Sequence, residues 1–315
     1  MKKSIFFMFL WFLMMTIFIS INNNNMFYIW LLLEINMMMF IPLMKSNNTI
    51  FFSSMIKYFI IQSIGSSLLF LSLTLSYQNM FNNMNMNILV NLSMIMKLGM
   101  FPFHMWLPQI CEGMSWASNI ILLTMQKFIP LFVMSFSSTF LMTLVVPLSA
   151  ITGSMGMFYQ NSIRKLLAFS SISHMAWMSY MFGSSSLSWL MYFIIYSLIS
   201  FSIFFMVNKM KINSLWQMKK SSYYSFSIIL SFLSLAGLPP LLGFLPKWMV
   251  IFYSNYNMIL FILIMSSLIN IYTYSRLLYP SMINSPLTLM KFSYSQLFTL
   301  IINNSLIFLF PFILL

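Results

Sequence analysis

The chain has 315 residues, of which 61% are hydrophobic and 5% charged, with a formal net charge of +13. Ordinary globular domains carry about 25% charged and about 45–50% apolar residues, so a soluble fold is excluded. The basic residues stand singly between apolar runs and offer no face to nucleic acid, and the single cysteine, Cys111, excludes a disulfide framework, a cysteine metal cluster and an iron–sulfur motif.

The opening MKKSIFFMFLWFLMMTIFIS has the charged start and apolar core of a signal peptide, but INNNN follows without a small-residue cleavage site. It reads as a retained first span. Apolar segments of bilayer-crossing length then continue to the end. They fall at roughly 4–20, 26–44, 55–76, 88–106, 117–138, 139–159, 164–182, 187–208, 224–255, 257–279 and 296–314, eleven in all. Segment 224–255 is long for one helix, and Pro239–Pro240 must interrupt it. Taken as one broken span, it leaves Lys2, Lys3, Lys45, Lys57, Arg164, Lys165, Lys209, Lys211, Lys219, Lys220, Arg276 and Lys291 on one side of the membrane and no basic residue on the other. Splitting it would spoil that asymmetry. The positive-inside rule therefore puts the N-terminus on the positive side and the C-terminus opposite. The bias towards Met and Phe, 35 of each, is that of an AT-rich, organelle-type gene.

Three basic residues stay inside the spans: Lys97, Lys127 and Lys247. Glu34 is the one acid at that depth, since Glu112 reads as a loop residue on the positive side. A charge at the middle of a membrane helix costs about 2.5–3.5 kcal/mol on insertion scales. Three lysines and one acid cannot all pair, so at least two must meet water, give up their proton or find partners in other chains. These residues are the candidate proton relay. His174, in SSISHMAW, joins them as a possible member, its serines suggesting a hydrated pocket. His104 is a weaker candidate.

Helix breaks at membrane depth are tolerated only where freed backbone groups meet protein or water, and paired breaks mark ion paths in transporters built from inverted repeats. The fourth and ninth spans carry such breaks, with similar text: GMFPFHMW (99–106) and GFLPKWMV (243–250). The expected fold is therefore an all-α integral membrane protein of about eleven transmembrane helices, two of them discontinuous. It forms one transmembrane domain of inverted five-helix repeats, approximately 1–138 and 139–279, with 280–315 as linker and last helix.

The motifs WLLLEIN (30–36), KLGMFPFHMWLPQICEGMSW (97–116), LLTMQKFIP (122–130), RKLLAFSSISHMAWM (164–178) and SLAGLPPLLGFLPKW (234–248) closely resemble the NADH dehydrogenase subunit 2 family of animal mitochondria. Its members are antiporter-like subunits in the membrane arm of respiratory complex I. The resemblance implies a multi-pass protein of the inner mitochondrial membrane, with its positive side towards the matrix and its C-terminus on the intermembrane-space side. Glu34 matches the family's acid that pairs with the lysine of the first broken helix, here Lys97. Lys127 matches the central lysine, and Lys247 that of the second broken helix. Protons are the species moved, and the partners are other membrane-arm subunits and the phospholipid bilayer. No cofactor is expected on this chain: NAD, FMN, iron–sulfur clusters and ubiquinone belong to other subunits. Two other readings use the same residues. A free-standing cation/proton antiporter would work alone and respond to Na⁺ or K⁺, for which a single buried acid is poor provision. A passive scaffold would tie any lysine substitution to assembly.

Overall fold

The computed structural model describes residues 3–282, apart from 24, 46–49, 78–82, 138–139, 184–187, 211, 215–216, 218–224 and 255–257. The expected span at 296–314 lies outside the described residues, as do Lys2, Lys211, Lys219, Lys220 and Lys291. The described residues are helical almost throughout, with one isolated bridge between Ser162 and Ser214. In chain order the helices are α1 (Lys3–Asn22), α2 (Met26–Leu43), α3 (Ile50–Tyr77), α4 (Asn83–Leu98), α5 (Trp106–Gly113), α6 (Trp116–Leu123), α7 (Met125–Phe136), α8 (Leu141–Phe158), α9 (Ile163–Tyr180), α10 (Ser188–Met210), α11 (Ser225–Ala236), α12 (Phe244–Tyr253) and α13 (Met258–Met282). Among the described residues seven stretches are long and apolar enough to cross a membrane, α6 and α7 together counting as one. Ten of the eleven expected segments fall on these helices.

Two compact units divide the chain, Met1–Ser149 and Ala150–Leu315. In the first, α3 packs against α2, α4 and α5, and α7 against α1, α4 and α6. In the second, α10 packs against α9, α11 and α12, and α13 against α9 and α11. The outward stripes are apolar at helical spacing: Met191, Ile194, Leu198, Phe201 and Phe205 on α10, and Leu144, Leu148, Ile151 and Met155 on α8. Helix α9 differs. Every residue from Leu166 to Ser179 is buried, four serines and His174 included.

In the second unit two arginines tie helix ends together. Arg276 on α13 donates from Nη1 to the Phe158 carbonyl and from Nη2 to that of Gln160, both at 2.8 Å, closing the end of α8. Arg164 opens α9 and donates to Asn213 Oδ1 at 3.2 Å, while the Ile163 N–H reaches the Asn213 carbonyl beyond α10.

Both breaks read from the sequence are present, but their register differs from the one the text similarity suggested. Helix α4 ends at Gly99 (φ +69°) and α11 at Gly237 (φ +80°). Each glycine closes the same left-handed cap: Gly99 and Met100 N–H both reach the Ile95 carbonyl, and Gly237 and Leu238 N–H both reach that of Leu233. The helices after the break open with matching text, Trp106–Leu107–Pro108 and Phe244–Leu245–Pro246. Each pair is separated by 138 residues (99 to 237, 102 to 240, 106 to 244). Gly99 therefore corresponds to Gly237 and not to Gly243, and Gln109 stands where the second unit has Lys247. Gly-x-x-Pro occurs twice by coincidence, because Gly243 meets a different demand. A Cβ there would lie 1.6 Å from the Ser234 carbonyl oxygen, so α11 passes against bare backbone.

A third break was not expected. The fifth segment, read as one span, divides at Thr124 into α6 and α7. Thr124 sits at φ −117°, ψ −79°, and its hydroxyl donates to the Ile120 carbonyl at 2.6 Å. Glu112 is not in a loop: it lies in the last turn of α5, side chain exposed.

Candidate functional site

Each candidate lysine stands beside a helix interruption. Lys97 is in the last turn of α4, Lys127 in the first turn of α7 and Lys247 in the first turn of α12. All three are buried, at 6%, 2% and 6% exposure. Glu34 lies in the middle of α2 and is half-buried.

In the first unit the stem of Lys97 crosses α3 at Gly65. A Cβ added there would meet Lys97 Cγ at 2.9 Å and Cε at 3.3 Å. The backbone carbonyl of Lys97, freed by the break, accepts from Gln62 Nε2 at 3.2 Å. The Glu34 carboxylate is close enough to act electrostatically on the Lys97 ammonium. Trp30, one turn before Glu34, donates from Nε1 to the Ser66 carbonyl at 3.1 Å and ties α2 to α3 beside Gly65.

Lys127 Nζ is buried and has no hydrogen-bond partner among the described residues. Cys111 of α5 is buried, and its carbonyl accepts from Asn119 Nδ2 of α6 at 3.0 Å. Asn119 Oδ1 and Trp106 Nε1 are likewise buried without partners. A buried ammonium and a buried amide oxygen left so are costly. A buried polar group of this kind is one that an ordered water commonly satisfies.

In the second unit Lys247 curls back across the break and donates from Nζ to the Ala236 carbonyl at the end of α11. Its stem runs over Gly237, whose added Cβ would meet Lys247 Cδ at 2.9 Å. The ammonium lies 6.0 Å from the Trp177 ring centroid. Cation and helix C-terminus suit one another, because the last carbonyls carry partial negative charge.

His174 is buried, with Nδ1 2.9 Å from the Tyr192 hydroxyl and its ring 5.1 Å from that of Tyr196. A cavity of ≈ 10 Å³, lined by both tyrosines, Ser234, Gly243 and Pro246, lies beside it. That is about the room one water centre needs. Ser170, Ser171 and Ser173 donate to the carbonyls of Leu167, Ala168 and Ser170 in their own helix, and Asn270 Nδ2 of α13 donates to Ser173 Oγ at 3.1 Å. Tyrosines of α10 add to the polar surroundings of His174. His104 belongs to the turn after Gly99, its Nδ1 3.2 Å from the Pro102 carbonyl.

Residues 23–272 match the profile of the NADH:quinone oxidoreductase/Mrp antiporter transmembrane family. The chain belongs to that family. Relatives named NADH-ubiquinone oxidoreductase chain 2 align along most of it: 39% identity with that of Rhipicephalus sanguineus over 91% of this chain and 93% of the relative, and 37% with that of Anopheles gambiae over 85% and 84%. Among solved structures, a chain of respiratory complex I from Thermus thermophilus superposes with a TM-score of 0.84 over 98% of this chain and 78% of that one, at 18% identity. A chain of an archaeal membrane-bound sulfane sulfur reductase gives 0.85 over 97% and 73%, at 14%. At these identities the likeness concerns the antiporter-like fold.

Reading charges along this member of the antiporter family found the lysines but missed the neutral polar groups around them. Asn36 and Gln126 lie inside WLLLEIN and LLTMQKFIP, beside Glu34 and Lys127, and an amide at membrane depth was the available signal. Tyr192 had none, being one aromatic among many. Among the described residues no group of three or more His, Cys, Asp or Glu could hold a metal ion.

Proposed function

We propose that this chain is a core membrane-arm subunit of a proton-pumping NADH:ubiquinone oxidoreductase and moves protons across the inner mitochondrial membrane. Glu34, Lys97, Lys127 and Lys247 form the relay, and His174 serves as a further station. The observation that carries the reading is the placing of every buried lysine at a helix interruption, where backbone carbonyls and small polar side chains can hold water. The named relatives support the same assignment. In the cycle, the Glu34–Lys97 pair opens or closes as charge changes at one end of the line, and protons pass through water between the lysines. Moving one charge against 100 mV requires about 2.3 kcal/mol. That energy comes from electron transfer in partner subunits, which hold the NAD, FMN, iron–sulfur and ubiquinone sites. The chain is thus a translocase subunit, with its basic loops and N-terminus towards the matrix.

The test replaces Lys127 with methionine in the assembled complex. Complex abundance should be unchanged while protons moved per NADH oxidised fall. Wild-type pumping by that variant would remove Lys127 from the mechanism, and pumping by the chain alone, driven by Na⁺ or K⁺ gradients, would favour the free antiporter.

A further inference from the structure

Gln126 directly precedes Lys127, and both ends of its amide are engaged. Nε2 donates to Asn36 Oδ1 at 3.1 Å, and Oε1 accepts from the Tyr58 hydroxyl at 3.2 Å. Asn36 is buried on α2, two positions beyond Glu34. Tyr58 is buried on α3, its ring fixed between Phe40 at 5.1 Å and Trp106 at 6.4 Å. Three helices therefore converge on one amide.

The helical ladder stops at Thr124, and the first N–H groups of a helix have no partner within it. The Lys127 N–H reaches only the Thr124 carbonyl, at 3.0 Å. With both ends of the Gln126 amide turned to Asn36 and Tyr58, the Lys127 ammonium has no partner among the described residues and is left for a transient one.

We infer that Asn36, Gln126 and Tyr58 form a clamp that positions the first turn of α7, and with it Lys127, against the helix bearing Glu34. The three are positioning residues. The clamp gives the relay a mechanical link: a displacement of α2 when Glu34 changes partner is handed by Asn36 to Gln126, and so to the turn that aims Lys127. The inference rests on the proton-relay reading above.

The experiment uses the assembled complex in sealed vesicles and measures protons moved per NADH oxidised, together with the pH profile of NADH oxidation. Gln126→Met keeps the volume and removes both hydrogen bonds. Tyr58→Phe keeps the ring and removes one. Lys127→Met is the reference. The expected result is normal assembly, with Gln126→Met losing at least half as much pumping as Lys127→Met and shifting the pH profile. Tyr58→Phe should show a smaller loss, and the double variant should be no worse than Gln126→Met alone, since both act through one amide. Wild-type ratios and profiles for both single variants beside an impaired Lys127→Met would overturn the clamp alone. Reduced assembly with an unchanged ratio per assembled complex would also overturn it, leaving the three as packing groups. Full pumping by Lys127→Met would sink the relay and the clamp together.

Discussion

Gly65 and Gly243 each leave room for a neighbour, and the two neighbours differ in what they can do. The atoms over Gly65 belong to the stem of Lys97, which can swing aside. Gly65→Ala should therefore assemble normally and impair proton pumping several-fold by displacing the ammonium from Glu34. Coupled measurement of complex abundance and pumping would check this, and loss of abundance with normal pumping would contradict it. Over Gly243 the nearest atoms are the Ser234 carbonyl oxygen at 1.6 Å and carbon at 2.7 Å, both backbone. Overpacking of a fixed interior costs about 1–3 kcal/mol and occasionally more, and here nothing can turn away. Gly243→Ala should lower the thermal stability of the complex by about 3 kcal/mol or more, read as a reduced yield of assembled material. Sequence reading saw Gly243 as the opening of a second Gly-x-x-Pro motif, because spacing cannot tell a glycine needed for its torsion from one needed for its bareness.

The helix breaks were legible to different degrees. Gly99 and Pro102, and Gly237 with Pro239 and Pro240, are strong punctuation, and both interruptions stand where that text lies. Yet Pro42, Pro130 and Pro147 sit inside continuous helices. Within a packed membrane bundle the lost N–H is tolerated, so proline alone does not decide. Thr124 breaks the fifth span with no such signal; its hydroxyl bonding back to Ile120 favours the bend. A break also exposes carbonyls that another element must meet. Gln62 does so for Lys97, and Gln62→Leu leaves that carbonyl bare within the protein. The cost should be about 1–3 kcal/mol, seen as an earlier thermal unfolding of the complex. Gln62→Glu, which cannot donate when ionised, should do no better.

For the whole molecule, the charge asymmetry was the most informative sequence signal, since it depends only on which side a loop occupies. The described basic residues at the start of α9 and near the ends of α10 and α13, Arg164, Lys165, Lys209 and Arg276, lie in segments that the rule assigns to one side. In a chain with Cys111 replaced by serine, cysteines at Lys45, Arg164 and Lys209 should react with an impermeant maleimide from one side of sealed membranes only. Labelling from opposite sides would refute the topology. What the sequence could not supply was the outer face. Lipid-facing and core-facing positions are both apolar, so the 3.6-residue period that marks a surface helix in water is flattened.

The enclosure of α9 has an evolutionary corollary. On α10 a saturation scan of single substitutions should return tolerance in waves, with Met191, Ile194, Leu198, Phe201 and Phe205 as the permissive crests. Between Leu166 and Ser179 the same scan should be flat and intolerant, because no side of that helix is free to drift. Among diverging descendants of this gene, it should be the stretch whose spelling changes most slowly.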